Sequence, residues 1–400
     1  MILNPIEKLC KLRFKEEKIG LGVMSGTSID GVSIAIAEIR GSWINTKFKI
    51  IYNNTYPYDD SIRMEIFKLI NPKTGNVKKI CQWNYVLGEI FVEKIFQAIK
   101  EAGLSISEID FIASHGQTIY HNPKIVNVYG YKTRSTLQIG EPSIIAYKTR
   151  VITIADFRHK DVAAGGQGAP ISAYVDYIIF RSTEVSRAIQ NIGGIANVTY
   201  IPRNAELNDV IAFDVGPGNM IIDSLVREMS NGKMNMDLNG EIAARGEINN
   251  ELLNYMMKHP YLKMKPPKTT GREDFGEKYV KKIIKKVKEL NLCWEDTIAT
   301  ATYYTAKNII ESYIKYLPGK VDEMIIGGGG SRNKTLLKMI KELNQNIKVS
   351  LHEDYGIPSQ AKEPLLMIIL ANETINGIPN NIPSATGAKE RIIMGKIIVP

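Results

Sequence analysis

Val23-Met24-Ser25-Gly26-Thr27-Ser28-Ile29-Asp30-Gly31-Val32-Ser33 is a turn of small residues set between two apolar runs, Ile19 to Val23 and Val32 to Ile39. In the second run Val32, Ile34 and Ile36 alternate with Ser33, Ala35 and Ala37, the period of a β-strand. The stretch therefore predicts a hairpin. Gly26 and Gly31 let a ligand approach the backbone, and the hydroxyls of Thr27 and Ser28 add donors to the turn's N–H groups. Such a turn can cradle a phosphate, or it can be a plain polar loop.

Outward from this turn, the 400 residues suffice for two domains. Hydrophobic content of 44% and charge of 23% are those of an ordinary soluble protein. No stretch reaches the ~20 apolar residues of a membrane helix. The N-terminal MILNPIEKLCKLRFKEEK mixes charge through its apolar positions, which predicts a short helix and not a leader. The 3 cysteines, Cys10, Cys81 and Cys293, are scattered without metal spacing, which points to a reducing cytoplasm. The net charge of +9 sits largely on amphipathic helices. Lys281, Lys282, Lys285, Lys286 and Lys288 surround Ile283, Ile284, Val287 and Leu290, so the basic face is a solvated surface and no nucleic-acid partner is expected. The surplus would still attract an anionic substrate such as ATP.

The rest of the chain repeats one theme. A strand at Phe48 to Tyr52 and helices at Ser61–Ile70 and Val77–Lys100 lead to a buried strand, Ile109 to Ala113, expected to end at Ser114-His115-Gly116-Gln117-Thr118. Polar residues at the carboxyl end of a buried strand are where open α/β sheets bind ligands, which singles out His115 and Gln117. Leu137 to Pro142 leads into a helix at Pro142 to Lys148. The strand Val151 to Ala155 delivers Asp156, Arg158 and Asp161, followed by Gly165-Gly166-Gln167-Gly168-Ala169-Pro170, with Pro170 placed to open a helix. Two carboxylates and an arginine beside a glycine turn suggest a substrate site, or an ion pair that orders a loop.

Ala188 to Ile201, with Gly193, Gly194 and Asn197 at and after its turn, reads as a second hairpin like the first. One hairpin per half suggests a duplicated architecture with a cleft. The strand Val210 to Phe213 is expected to present Asp214 at its exit, beside Gly216 and Gly218. Lys265 to Thr270 reads as a loop that brings Lys268 and Arg272 within reach of an anion. The strand Glu323 to Ile326 opens into Gly327-Gly328-Gly329-Gly330 ahead of Asn333 and a helix, which leaves room for a flat ring or a phosphate. A helical run at Lys362 to Thr374 carries Glu363, and Arg391 to Val399 is expected to pack back on the first half.

Nine motifs in order, MSGTSIDG, SHGQTIYH, LQIGEP, ADFRHKDVAAGGQGAP, NIGGIAN, FDVGPGN, TTGRE, IIGGGGSRN and PSATGA, resemble the anhydro-N-acetylmuramic acid kinase family of the sugar kinase, Hsp70 and actin superfamily. The resemblance implies an α/β fold of two related actin-like (ribonuclease H-like) domains with nucleotide and sugar bound in the cleft. The expected boundaries are 1–150 with about 376–400, and 151–375. It implies a phosphotransferase to an alcohol group that uses ATP and Mg²⁺. Such an enzyme opens 1,6-anhydro-N-acetylmuramic acid hydrolytically and phosphorylates its O6, as part of peptidoglycan recycling.

The same resemblance assigns residues. It implies Asp214 as the base, while Asp156 and Asp161 are rival or supporting carboxylates from the sequence alone. Gly26, Thr27, Ser28, Ile29, Asp30, Gly31, Val32 and Ser33 are expected to bind ATP. Gly193, Gly194 and Asn197 join them, and Gly327, Gly328, Gly329, Gly330 and Asn333 border the nucleotide. His115, Gln117, Arg158 and Glu363 are expected on the sugar side. Met24 stands where the wider superfamily has a metal-positioning Asp, so no metal ligand is named. A homodimer is compatible with the pattern. Alternatives are a kinase of this fold acting on another amino sugar or anhydro-sugar, and a superfamily member that binds ATP without catalysis.

Overall fold

The computed structural model describes residues 4–26 and 28–400 and shows two compact units. The first runs to Ile179 and resumes at Gln360; the second is Phe180–Ser359. In chain order the first unit holds α1 (Pro5–Phe14), the β1–β2 hairpin (Glu17–Ser25, Gly31–Arg40) and β3 (Lys47–Pro57). Then come α2 (Asp60–Ile70), α3 (Val77–Glu101), β4 (Phe111–Val128), β5 (Tyr131–Ile139), α4 (Pro142–Thr149), β6 (Ile152–Ala155), α5 (Phe157–Ala163) and α6 (Ser172–Phe180). The predicted hairpin, long helix and N-terminal helix are all present. Two details differ. Asp156 to Asp161 is not an open loop, because α5 begins directly after Asp156. Pro170 precedes α6 by two residues and does not open it.

The strand expected to stop at Ala113 instead continues through Val128 and pairs antiparallel with β5. The base of this β4–β5 hairpin joins the core through Ile119 and Ile139, but its outer part is exposed. Its tip is polar or exposed, with Tyr129 98% accessible, so no buried alternation marks it in the sequence. Ser114 to His121 therefore lie within a strand, not in an exit loop.

The second unit contains β7 (Arg187–Ile192), β8 (Ile195–Ile201), β9 (Ile211–Pro217), α7 (Asn219–Met229), α8 (Asn250–Met257), α9 (Arg272–Phe275) and α10 (Glu277–Glu289). It ends with α11 (Trp294–Tyr316), β10 (Glu323–Gly327), α12 (Lys334–Leu343) and β11 (Lys348–Leu351). The chain then returns to the first unit with α13 (Lys362–Asn376), α14 (Pro383–Thr386) and β12 (Lys396–Ile398). β12 pairs antiparallel with β6, so the C-terminal stretch does pack on the first half.

The sheet of the first unit runs β3-β2-β1-β4-β6, with β12 beyond it. β1, β2 and β3 are antiparallel neighbours; β1–β4 and β4–β6 are parallel. The sheet of the second unit runs β9-β8-β7-β10-β11, again with three antiparallel strands followed by two parallel joins. The two sheets thus share one strand order and one pattern of strand direction, the ribonuclease H-like order. This is the duplicated α/β architecture that the paired hairpins predict.

The boundaries differ from those expected at 150/151 and 375/376. β6 adds to β4 by parallel pairing, which carries the first unit past residue 151. α13 covers the face of β1 and β2 that carries Gly20, Gly22, Ala35 and Ala37, so the first unit resumes before residue 376. That face is small because the helix comes close. A Cβ on Gly22 would lie 2.0 Å from the Pro364 carbonyl oxygen. The opposite face, Leu21, Val23, Ile34 and Ile36, packs with Leu87, Phe91 and Ile95 of α3. Both faces are buried, so β2 alternates large and small residues where a half-exposed strand would alternate apolar and polar.

Candidate functional site

In the first unit, the turn between β1 and β2 is built from behind. Ile29 takes a left-handed backbone (φ 59°) and buries its side chain completely, as does Val32. These two residues offer a ligand only their backbone. Ile29 N donates to Gly26 O at 3.1 Å and Tyr58 N to Asp30 O at 3.1 Å, which closes the turn. Ser25 Oγ donates to Gln117 Oε1 at 2.6 Å and sits 2.9 Å from the Tyr58 hydroxyl, which therefore donates to it. Gln117 Nε2 donates to Gly26 O at 3.2 Å. Gln117 is fully buried with both ends of its amide engaged. Its amide braces the turn, where a sugar contact was expected of it. Tyr58, which the sequence reading missed, shares that role; a lone Tyr after a strand carries no signal of it. Ser28 and Asp30 are exposed, with Asp30 3.2 Å from Arg63. Ser33 Oγ bonds Thr55 Oγ1 at 2.9 Å across to β3. Thr27 lies outside the described residues.

His115, Arg158 and Asp161 form one polar stack beside that turn. His115 Nδ1 lies 2.9 Å from Gly116 O, and Arg158 Nε lies 2.9 Å from His115 Nε2. A carbonyl can only accept and a guanidinium can only donate, so the imidazole is neutral with its proton on Nδ1. Burial, together with the Arg158 cation, holds its pKa down to about 3. Arg158 also donates to Gly168 O at 2.7 Å. Asp161 is fully buried and accepts from Gly168 N at 2.8 Å, Thr386 Oγ1 at 2.7 Å and Asn381 Nδ2 at 3.2 Å. Its oxygens are committed to ordering the glycine turn, which is the loop-ordering reading of this motif.

Asp156 differs. It takes a left-handed backbone (φ 58°) ahead of α5, and its Oδ2 accepts from Lys396 Nζ at 2.7 Å. With His115, Ser114, Gln138 and His159 it lines a cavity of about 260 Å³. Ser114 Oγ and Gln138 Oε1 are buried there without a hydrogen-bond partner, which marks the cavity as a polar receptor. Glu363, exposed in the first turn of α13, sets its carboxylate beside Gly26 and faces the Arg158 cation.

In the second unit, Asp214 lies inside β9, not at its exit, because the strand runs on to Pro217. It is the register partner of Asn197 on β8, so the two share a sheet face. Its Oδ2 accepts from Thr269 Oγ1 at 2.7 Å and Thr270 N at 3.0 Å. Its backbone is held as well: Asp214 N donates to Lys268 O at 3.1 Å, and the Tyr261 hydroxyl donates to Asp214 O at 2.7 Å. Burial raises the carboxyl pKa against the two hydrogen bonds, which lower it. Lys268, expected at a loop surface in reach of an anion, is buried instead among aromatic rings. The TTGRE motif flagged this segment, but its grip on Asp214 is visible only in three dimensions.

The two glycine turns of the second unit meet at the N-terminus of α7. Gly218 N, Asn219 N and Met220 N donate to the carbonyls of Gly193 and Gly194 at 2.8–3.1 Å, so the second hairpin caps α7. Gly327, Gly328 and Gly330 are glycines for packing. A Cβ at each would strike the His352 ring, Asn191 Oδ1 or Ile192, respectively, and Gly328 also has φ +82°. Gly329 is exposed and open. Asn333 Oδ1 caps α12 by accepting from Leu336 N at 2.9 Å. Among the described residues no group of three or more His, Cys, Asp or Glu side chains could hold a metal ion, and no helix is long and apolar enough to cross a membrane. The described side chains by themselves do not form a resident metal site.

The sequence model of the anhydro-N-acetylmuramic acid kinase family matches residues 18–400. An anhydro-N-acetylmuramic acid kinase of Caldanaerobacter subterraneus subsp. tengcongensis is 50% identical over 394 residues, 98% of this chain and 100% of that protein. One of Bacillus cereus (strain AH820) is 45% identical over 383 residues, 95% and 98% of the two chains. Among solved structures, a ROK family glucokinase from Streptomyces griseus aligns at 10% identity with a TM-score of 0.38, covering 88% of this chain and 98% of that one. The chain belongs to the anhydro-N-acetylmuramic acid kinase family and is a kinase, a phosphotransferase with an alcohol acceptor.

Proposed function

We propose that this chain converts 1,6-anhydro-N-acetylmuramic acid, water and ATP to N-acetylmuramate 6-phosphate and ADP. Water attacks C1 and gives its proton to Asp214. The C1–O6 bond breaks, and O6 takes the γ-phosphoryl group of ATP, which enters as its Mg²⁺ complex. O6 is leaving group and nucleophile in turn, so the step needs one base and no separate acid.

The observation that carries this reading is the grip on Asp214. Both hydrogen bonds fall on Oδ2, which leaves Oδ1 to take the proton. Burial raises the pKa and so makes the carboxylate a stronger base than a free aspartate. Asp156 is ion-paired with Lys396 and Asp161 is fully buried and saturated, which favours Asp214 over both. The cavity lined by His115 and Asp156 supplies buried polar atoms for the sugar, with Arg158 and Glu363 at its side. The β1–β2 turn, braced by Ser25 and Gln117, supplies backbone donors for phosphate oxygens, and Gly194 and Gly329 are exposed positions on the glycine turns of the second unit.

The test is turnover in ¹⁸O-labelled water with the mass of the product recorded. A 6-phosphate with one ¹⁸O at C1, scored before anomeric exchange, is the expected result. Phosphorylation of plain N-acetylmuramate or another hexosamine, with no reaction on the anhydro-sugar, would overturn the substrate and keep the kinase.

A further inference from the structure

We propose that Lys268 is a positioning residue for Asp214, a buried cation that favours the ionised carboxylate and anchors the strip of chain that grips it. The inference rests on the assignment of Asp214 as the base.

Lys268 is 6% exposed. Its ammonium lies 4.6 Å from the centre of the Tyr316 ring, 4.7 Å from Tyr261 and 5.8 Å from Phe213. Nζ is buried and has no hydrogen-bond partner. Ring faces attract a cation, but they do not replace the three hydrogen bonds an ammonium makes in water. The cation is therefore held at a cost that needs a compensating anion. Asp214 is the acidic group whose field acts on it, and the two residues are tied through their backbones. Their rings and chain segments interlock. Phe213 precedes Asp214 on β9, Tyr261 donates to Asp214 O, and Tyr316 donates to Leu262 O at 2.6 Å. Thr269 and Thr270, the next two residues after Lys268, hold Asp214 Oδ2. Moving the ammonium out of its cage would move the strip and the carboxylate together.

The charges facing this pair are few. Lys315 on α11 opposes the Lys268 cation, and is itself bound to Glu311 at 2.6 Å. Glu273 on α9 opposes the Asp214 anion. Asp274 on α9 acts on Tyr261 and accepts from Thr270 Oγ1 at 2.7 Å. Burial holds the Lys268 pKa down to about 8, against the raising effect of Asp214. Lys268 thus titrates within reach of ordinary assays, and an arginine in its place would not.

The experiment pairs kinetics with NMR. In Lys268→Met the acidic limb of kcat/KM is expected to move up by about one pH unit, as for an acid that loses a neighbouring cation. Lys268→Arg should restore it toward the wild-type position. An acidic limb that stays in place in Lys268→Met, with or without a drop in rate, overturns the proposal, because a merely structural lysine would lower the rate without moving the limb. If Lys268→Met fails to fold, the reciprocal readout decides: ¹³Cε-lysine NMR of Asp214→Asn should show the Lys268 pKa lowered relative to wild type. An unchanged Lys268 pKa there overturns the coupling. Asp214→Asn activity separates the two readings. Full turnover in that variant sinks the base assignment, whereas a dead Asp214→Asn with an unmoved limb in Lys268→Met sinks only the role of Lys268.

Discussion

A single imidazole shows how much chemistry residue-scale geometry decides. His115 is 4% exposed, between a carbonyl that accepts from Nδ1 and a guanidinium that donates to Nε2. Its pKa falls from 6.5 to about 3 on folding. A histidine with a depressed pKa binds its proton more strongly in the unfolded chain, so stability is full above pH 6.5 and drains as pH falls toward the folded value. The contribution lost is about 1.4 kcal/mol per pH unit below 6.5. His121, held down to about 4, adds to the same window. Urea unfolding between pH 6.5 and 4.5 should therefore be steeper in wild type than in His115→Asn, by one proton's worth of slope. Equal slopes would mean that His115 is not buried neutral. At Asp214 the same scale predicts that Asp214→Asn folds and still binds ATP while kcat falls by about three orders of magnitude, as for removal of a general base. Calorimetric ATP binding alongside turnover checks this, and normal turnover would return the role to Asp156 or Asp161.

At the scale of elements, two contacts of opposite kind were hidden in the sequence for different reasons. Gly20, Gly22, Ala35 and Ala37 read as ordinary small residues, yet they form the flat seat of α13. A methyl group at Gly22 meets the Pro364 carbonyl oxygen, which belongs to the helix backbone and cannot step aside alone. Gly22→Ala should cost about 3 kcal/mol by overpacking, measured as a lowered denaturation midpoint; an unchanged midpoint would show that α13 is loosely seated. The β4–β5 hairpin is the reverse case. Its tip makes little apolar contact, and Tyr129→Ser should alter stability by less than about 0.5 kcal/mol. A larger loss would reveal a contact that the hairpin makes in solution.

For the whole molecule, charge is the property that residues and elements do not decide separately. The formal net charge is +9, carried in large part by solvated lysines such as those of α10. A field of this sign draws in a polyanion and is screened by salt. Raising ionic strength from low to physiological and beyond should lower kcat/KM for ATP several-fold while leaving kcat nearly unchanged. A salt-independent kcat/KM would mean that ATP capture depends on local contacts alone.

The order of motifs, the paired hairpins and the helical periodicities were legible because each is local. A glycine turn, a 3.6-residue stripe or an alternating strand is set by neighbours in the chain. Those features were enough to establish the α/β class, the duplication and the family. Tertiary structure alone decided which polar residues are available. Gln117, Asp161 and Asn333 read as ligand contacts, but folding commits them to a turn, a glycine loop and a helix cap. Lys268 read as a surface cation and is caged beside Asp214. Three of the four successive glycines at Gly327 to Gly330 answer to packing against His352, Asn191 and Ile192. The reason is the same in each case. A polar side chain has a fixed number of donors and acceptors, and which distant atom claims them is set by residues far away in sequence.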